Sequence, residues 1–399
     1  MQAMSEAGPP TGPHAGTDAL RAEVRAWLEE HLSGEFASLR GAGGPGREHE
    51  RYQERLAWNR HLAEHGWTCV GWPQEYGGRG LTLEEQVVFH EEYARADAPA
   101  RVNHLGEELL GPTLIALGTD EQRARFLPGI RSVTEMWCQG YSEPGAGSDL
   151  ASVSTRARLD EGVGEWVIDG QKLWTSLAHE ADWIFVLCRT TPGSTRHTGL
   201  SFLLVPMDQP GIEVRPIEQL TGGSEFNEVF FTGARTAADL VVGEQGEGWR
   251  VATTLLGFER GGSTLGQQVG FARELDDLLD LARTNGALDD PLIADSLARA
   301  YVELNVMRAN VVRGLSDGQS PSVGKLLWGG WHRRLGEVAM QVLGAGGLVA
   351  DGDTGDLDRW QRLFLFSRAD TIYGGSDEIQ RTILAERVLG LPREPKVNA

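Results

Sequence analysis

The chain has 399 residues, of which 40% are hydrophobic, and this length and content allow two or three domains with substantial cores. Its formal net charge of −20 argues against nucleic acid or an anionic membrane as a partner, because either would need a broad basic face. Three scattered cysteines, Cys69, Cys138 and Cys188, indicate a reducing compartment, with neither a disulfide framework nor metal-ligand spacing. A secretion signal and an apolar stretch of roughly 20 residues are both missing from the sequence, so we expect a cytoplasmic protein.

The first predicted domain is helical and covers residues 18–133, and residues 1–17 before it are expected to be a disordered tail. Apolar residues recur on one helical face near its start: Leu20, Val24, Trp27 and Leu28. A later helical pattern runs over residues 120–126, and Leu127 with Pro128 is expected to end it. Other apolar residues in this part of the chain also recur at the spacing of a helix.

The second predicted domain is a compact β domain over residues 134–246. Its short apolar runs, separated by Gly, Pro, Asp and Thr, are typical of strands joined by turns. An Asp169-Gly170 pair reads as a hairpin turn that leads into a strand. From residue 247 to residue 393 helical periodicity returns and predicts a second helical domain, with residues 394–399 as a tail.

The segment from Met136 to Leu150 is the most informative motif, because it places hydroxyls, glycines and backbone donors in one short loop. Gly145 and Gly147 can adopt backbone angles that side chains forbid, and they allow a ligand to approach the main chain. Such a loop suits a flat, polar cofactor. The alternative is an ordinary turn between strands.

Together with the segment from Asp169 to Ser176, this loop resembles the acyl-CoA dehydrogenase family, over roughly residues 20–392. The resemblance implies an α+β fold with an N-terminal helical domain, a middle small β-barrel or β-sandwich domain and a C-terminal four-helix-bundle domain. It also implies FAD as the cofactor. The residues that would bind the flavin near its ring are Ser142, Gly147, Trp174, Thr175 and Ser176.

The resemblance further implies a role for several of these side chains. Ser142 would bond the pyrimidine edge of the flavin, Trp174 would pack beside the ring, and Ser176 would bond near N5. Ser148 would lie on the acyl-CoA side.

Desaturation of a thioester needs a base for the α proton, and many family members carry it in a Tyr-Glu-Gly-Thr loop. The corresponding loop here has Tyr373 followed by Gly374, so the expected glutamate is missing. A minority of the family, of the isovaleryl-CoA dehydrogenase type, carries the base on the helix that opens the C-terminal domain. Glu259 matches that position, and Arg260 matches the arginine beside it. The alternative is a solvent-facing Glu259 paired with a nearby arginine.

The remaining site predictions concern the substrate and the ADP portion of FAD. Arg260, Tyr373 and Gly374 join Ser148 as substrate-binding residues, and backbone donors near Gly374 would stabilise an oxyanion. The space left by that glycine favours a branched, cyclic or bulky acyl group.

Two further pairs of residues resemble contacts of the family to the FAD pyrophosphate and ADP: Gln341 with Ala345, and Ser376 with Glu378. A structural cap or turn explains them about as well.

The predicted function is the FAD-dependent α,β-dehydrogenation of an acyl-CoA or acyl-carrier thioester, with Glu259 as the base and an electron-transfer flavoprotein as the acceptor. Residues 281–291 lack the family's Arg-Phe-Gly pattern, which reaches a neighbouring subunit, so a homodimer, a homotetramer and a heterotetramer with a related chain all stay open. Two other functions also stay open: a non-catalytic partner subunit, and a flavin oxygenase or oxidase on the same fold.

Overall fold

The computed structural model describes residues 13–258, 263–317, 320–350, 352 and 355–393. Helices occupy the first part of the chain, strands the middle and helices the last part, which confirms the α+β class. Glu259 and Arg260, the predicted base and its neighbour, lie outside the described residues.

The N-terminal part is helical, and its first helix begins at Pro13, inside the segment predicted as a tail. The helices are α1 (Pro13–His31), α2 (Tyr52–Glu64), α3 (Leu83–Arg95), α4 (Gly111–Leu117) and α5 (Asp120–Arg131). Side chains of Leu28, Trp58 and Phe89 meet in a core between α1, α2 and α3. This packing stabilises three helices that would be marginal in isolation.

The prediction that Pro128 ends a helix is wrong, because α5 continues through it to Arg131. Thr119 caps the start of α5 and forms a reciprocal capping box with Gln122. A proline in a helix interior removes one backbone hydrogen bond. Burial of Phe126 and Ile130, which are at most 1% exposed, outweighs that loss.

The middle part forms one sheet, in which the order of paired strands is β6-β7-β3-β2-β4-β5-β8, with β1 parallel to β4. The strands are β1 (Trp137–Gly140), β2 (Arg156–Asp160), β3 (Glu165–Ser176), β4 (Trp183–Arg189), β5 (Leu200–Pro206), β6 (Ile212–Ile217), β7 (Phe226–Ala237) and β8 (Val241–Val242). Both faces of β4 are buried: Phe185 faces one core and Ile184 the other. Helix α6 (Gly248–Phe258) contributes Leu255 to the first of these cores.

The Asp169-Gly170 pair does not form the predicted hairpin turn, because β3 runs through it without a break. The pairing of β3 with β7 shifts register opposite Ile168 and Asp169, where Gly233 of β7 is the extra residue of a bulge and donates its N–H to Asp169 Oδ1 at 3.0 Å. Gly170 has a φ of 150°, and a Cβ at this position would lie 2.5 Å from Thr155 Oγ1. Glycine serves where two backbones approach closely as well as in turns, so the pair alone does not distinguish the two.

The C-terminal helices are α7 (Ser263–Thr284), α8 (Pro291–Asp317), α9 (Pro321–Leu343), α10 (Arg359–Phe366) and α11 (Asp377–Ile383). One core receives Leu275 from α7, Leu304 from α8, Trp331 from α9 and Trp360 from α10, which confirms the four-helix arrangement. Among the residues with a described position, no helix is both long and apolar enough to cross a membrane.

Replacing Gly170 with alanine tests the close approach of β3 to Thr155. The added Cβ would meet Thr155 while a φ of 150° strains any L side chain, so we expect destabilisation by about 1–3 kcal/mol. Gly162→Ala is the matched control, because its Cβ would meet only Asp160 Oδ1, at 3.6 Å. Thermal unfolding of both variants measures the difference, and equal melting temperatures would contradict this close approach.

Candidate active site

The loop after β1 is held to β3 by a buried ion pair between Lys172 and Glu143. The Lys172 ammonium is fully buried and donates to Glu143 Oε1 at 2.7 Å, to the Tyr141 carbonyl at 3.0 Å and to the Leu187 carbonyl at 2.6 Å. Three acceptors match the three protons of an ammonium group. The lysine therefore joins β1, β3 and β4 at one point.

The Glu143 carboxylate is also saturated with donors. Its Oε2 accepts from the backbone N–H of Ser154 at 2.6 Å and from the Ser154 hydroxyl at 2.7 Å, and Oε1 accepts from the Thr155 N–H at 3.0 Å. Burial alone would raise the pKa of this carboxyl, but Lys172 and these donors lower it to about 2. The pair is charged at neutral pH, and it fixes both ends of the loop from Ser142 to Ser154.

Next to this pair lies the corner where the flavin-binding residues were predicted. The Leu173 N–H donates to the Ser142 carbonyl at 2.8 Å, which brings Ser142 to the strand that carries Trp174 and Ser176. Trp174 has a left-handed φ of 61°, its side chain is 54% exposed, and its ring meets Phe226 edge-on at 6.0 Å. A non-glycine residue in this conformation stores about 1–3 kcal/mol of strain, typically at functional sites.

A buried hydroxyl lies in the same corner. Thr175 is fully buried, and in the described part of the chain its Oγ1 has no hydrogen-bond partner. Its carbonyl accepts from the Asn227 amide at 3.0 Å. Buried polar groups are normally satisfied, so this orphan marks a place where a partner from outside the chain is expected.

The glycines of the loop do not adopt the special backbone angles that glycine allows. Gly145 and Gly147 are absent from the left-handed φ region, and a Cβ at either would meet nothing within 4 Å. Instead, Glu143 and Ala146 exchange two backbone hydrogen bonds of 3.0 Å each, which close an ordinary tight turn. Backbone angles therefore do not explain these two glycines, and the approach of a ligand to the main chain at Gly147 stays a prediction. Gly147 and Ser148 are exposed on the outer side of this turn.

The second group of predicted residues lies in the loop before α11. Gly374 and Gly375 have φ values of 63° and 86°, both in the left-handed region. The buried Gln380 amide donates to the carbonyls of Gly374 at 3.0 Å and of Gly375 at 3.2 Å. The loop is therefore shaped for glycine at the position where many family members carry the base.

Beneath this loop, Asp370 holds Tyr373 through a buried charged network. The Tyr373 hydroxyl donates to Asp370 Oδ1 at 2.6 Å, His332 Nδ1 lies 2.6 Å from Asp370 Oδ2, and Lys325 donates to the Asp370 carbonyl. The other ring nitrogen of His332 lies 3.0 Å from Glu274 Oε2. Burial alone would lower the pKa of this imidazole, but Glu274 and Asp370 raise it to about 9.

The residues predicted to meet the ADP portion of FAD have mixed outcomes. Ser376 accepts a hydrogen bond from the Ile379 N–H at 3.4 Å, so it caps α11, as the alternative held. Glu378 is exposed in the first turn of α11. Gln341 and Ala345 are exposed around the end of α9.

The turn after α9 is tied indirectly to the sheet. Gln361 donates to the Gly347 carbonyl at 3.1 Å, and its neighbour Arg362 donates to the Thr221 carbonyl at 2.9 Å. Thr221 belongs to the loop that leads into β7.

The structure describes the helices on either side of the predicted base. Glu259 and Arg260 fall between α6, which ends at Phe258, and α7, which begins at Ser263. Phe258 is 37% exposed. The sequence reasoning missed the Lys172–Glu143 pair and the His332–Asp370 network. A charged residue in the inward phase of a buried strand was the one available signal for Lys172.

The protonated His332 predicts a loss of stability at alkaline pH. A pKa raised from near 6.5 to about 9 corresponds to about 3 kcal/mol, present in full below pH 6.5 and lost as the pH rises through 9. Glu274→Gln removes part of that rise, so its melting temperature should change less between pH 7 and 9 than that of the wild type. Glu303→Gln, in an exposed pair with Arg334, is the control. If the melting temperature changed with pH by the same amount in all three proteins, that result would contradict the charged state of His332.

Comparison with known proteins gives a consistent result along the whole chain. Models of the acyl-CoA dehydrogenase N-terminal, middle and C-terminal domains match residues 15–134, 138–234 and 246–389. Acyl-CoA dehydrogenase IpdE1 of Mycobacterium tuberculosis H37Rv is 63% identical over 95% of this chain and 99% of its own. Acyl-CoA dehydrogenase IpdE1 of Mycolicibacterium smegmatis is 62% identical over 94% and 98%.

Solved structures are similar as well. One described as the Tcur3481-Tcur3483 steroid ACAD has a TM-score of 0.82 at 33% identity, covering 98% of this chain and 100% of its own. The ChsE4-ChsE5 complex from Mycobacterium tuberculosis has a TM-score of 0.78 at 29% identity, with coverage of 98% and 100%.

Proposed function

Because this chain belongs to the acyl-CoA dehydrogenase family and is an oxidoreductase that dehydrogenates acyl-CoA, we propose that it binds FAD at the corner formed by Ser142, Trp174 and Ser176. The observation that carries this proposal is Trp174, a strained and half-exposed residue two positions after Lys172 on β3. A large apolar ring in water gains free energy when a flat ligand covers it. The orphaned Thr175 hydroxyl supports the same site.

Bound FAD supplies the acceptor for the hydride that leaves the β carbon of the substrate. Ser142 and Ser176, both half-buried, offer hydroxyls to the edge of a flavin, and Trp174 offers its face. Gln341, Ala345 and Glu378 are proposed contacts for the ADP portion. A site made of hydroxyls and one aromatic face suits a neutral ring system with polar edges.

The α proton is proposed to move to the carboxylate of Glu259. The left-handed φ of Gly374 supports this assignment, since a glutamate there would be strained. A carboxylate must come within hydrogen-bond reach of the α carbon, and the junction of α6 and α7 is the family's other position for it. Arg260 beside Glu259 would favour the charged, proton-accepting form.

The thioester is proposed to lie against the loop from Tyr373 to Gly375. The Tyr373 N–H already donates to the Ala369 carbonyl at 3.0 Å, so the N–H groups of Gly374 and Gly375 are the proposed donors to a developing oxyanion. Tyr373 is held by Asp370 and would limit the position of the acyl chain. Ser148, exposed on the outer turn, is the proposed contact toward CoA.

We propose a bulky, fused-ring acyl group as the substrate. The neighbour described as a steroid ACAD shares 33% identity over nearly the whole chain, and Gly374 places no side chain beside the α carbon. Electrons would leave through an electron-transfer flavoprotein, as the family resemblance implies.

The active assembly is proposed to include a related chain. Two structural neighbours are complexes of two named chains, Tcur3481-Tcur3483 and ChsE4-ChsE5. On α8, Leu292, Val302 and Val306 are 55–77% exposed and fall on one face of the helix. Unpartnered apolar faces of this kind mark subunit interfaces.

Glu259→Gln tests the base. We expect flavin binding to persist and anaerobic reduction by a fused-ring acyl-CoA to slow by about 100- to 10,000-fold, because a positioned base contributes that much. Glu247→Gln, paired with the exposed Arg250 on α6, is the control. Stopped-flow loss of visible flavin absorbance gives the rates. Unchanged reduction would reject Glu259, and a wild-type complex in which this chain holds no flavin would favour the partner-subunit function.

Val302→Asp with Val306→Asp tests the assembly, through light scattering on a sizing column. We expect the wild-type chain, co-expressed with a related acyl-CoA dehydrogenase chain from its own source, to elute as a complex. The double variant should elute as a single 43.5 kDa chain, since each carboxylate would be desolvated at the interface. Val163→Asp, 64% exposed in the β2–β3 turn, is the control. Identical elution of all three would contradict an interface on α8.

A further inference from the structure

We propose that His31, His61 and His65 together bind one divalent transition-metal ion, and that this ion is Zn²⁺. Each ring offers one nitrogen, and the three nitrogens lie within 4.8 Å of one another. His31 and His61 are half-buried, and His65 is exposed, so the cluster is open to solvent on one side. The site lies on the N-terminal helices and has no part in the proposed dehydrogenation.

The fold brings these residues together at the ends of two helices. His31 is the last residue of α1, and His65 directly follows α2. His61 lies four residues before His65, so the two rings share one side of α2. Two helix C-termini meet here, and their partial negative charge favours a bound cation.

One ring is already oriented as a ligand. His65 Nδ1 lies 2.8 Å from the His61 carbonyl oxygen, and a carbonyl can only accept, so Nδ1 carries the proton. The lone pair of His65 is therefore on Nε2. Donation of one ring N–H to a backbone carbonyl is the usual way in which proteins orient a metal-binding histidine.

The other two rings are close to ligand spacing. His31 Nδ1 and His61 Nε2 are 2.9 Å apart and share one proton in a hydrogen bond. Tetrahedral Zn²⁺ with bonds of about 2.0–2.1 Å would place two nitrogens about 3.4 Å apart. If the two nitrogens move apart by about half an ångström and one ring changes its tautomer, two metal bonds can therefore replace this hydrogen bond.

Aromatic side chains pack against two of the rings. Trp27 stacks on His31 with a centroid distance of 4.4 Å, and Phe36 meets His61 at 5.2 Å. These aromatic contacts hold the rings in place, which reduces the entropy lost on binding.

The chemistry of the site selects the class of ion. Three imidazoles suit Zn²⁺, Cu²⁺, Ni²⁺ and Co²⁺, whereas Mg²⁺ and Ca²⁺ prefer oxygen ligands. The exposed side next to His65 leaves a fourth position for water. Carboxylates of Glu64 and Glu35 act electrostatically on His61 and would stabilise the added positive charge. A bound ion would join the end of α1 to the end of α2.

Equilibrium dialysis of the full chain, stripped by a chelator and free of any histidine tag, tests the site with Zn²⁺ at pH 7.5. We expect one Zn²⁺ per chain and at least a tenfold weaker affinity for His31→Gln and for His65→Gln. His197→Gln, an exposed histidine that packs on Trp249, is the control and should bind like the wild type. Mg²⁺ should not compete.

Cobalt provides a second readout that is independent of folding defects. Co²⁺ bound to the wild-type chain should give the intense visible absorption of a tetrahedral site, and Zn²⁺ should displace it. Unfolding temperatures measured with and without Zn²⁺ should rise for the wild type and stay unchanged for the His31→Gln, His65→Gln double variant. The proposal would be overturned if that double variant, correctly folded, bound Zn²⁺ with wild-type affinity. It would also be overturned if the wild-type chain bound less than one-fifth of an equivalent of Zn²⁺.

Discussion

The buried ion pair between Lys172 and Glu143 is the constraint on which the proposed site depends. Lys172 is completely enclosed, and its ammonium links β1, β3 and β4 through one carboxylate and two carbonyls. Breaking such a pair from one side costs about 3–5 kcal/mol, since the remaining charge stays buried. The loop that carries Ser142 and the strand that carries Trp174 therefore hold one relative position, which is what a rigid flat cofactor requires.

A second charged network performs the same task for the loop from Tyr373 to Gly375, where the thioester is proposed to lie. Asp370 accepts from Tyr373, contacts His332 and offers its carbonyl to Lys325, while Gln380 holds the carbonyls of Gly374 and Gly375. Both networks are buried, and each is saturated with partners at its charged centre. The chain thus places two preorganised surfaces on separate domains, and this division fits chemistry that takes place between a cofactor and a thioester.

Much of the fold follows from the sequence, because hydrophobic period and turn chemistry act locally. The helix–sheet–helix order and the cap at Ser376 were predictable on these grounds, whereas the four-helix bundle followed from the family resemblance. Pro128 was misjudged, since the burial of its neighbours outweighs its own local preference. Gly170 was assigned to a turn because glycine serves both in turns and where two backbones approach closely. The networks around Lys172 and Asp370 join residues far apart in sequence, so a local pattern does not reveal them.

The most direct test is a double-mutant cycle on FAD affinity with Glu143→Gln, Lys172→Met and the two combined, in proteins whose folding is verified by circular dichroism. The ion pair predicts that each single variant binds FAD at least tenfold more weakly than the wild type. The double variant should recover part of this loss, because it leaves no unpaired buried charge. Wild-type FAD affinity in either folded single variant would contradict the central claim that this pair shapes the flavin site.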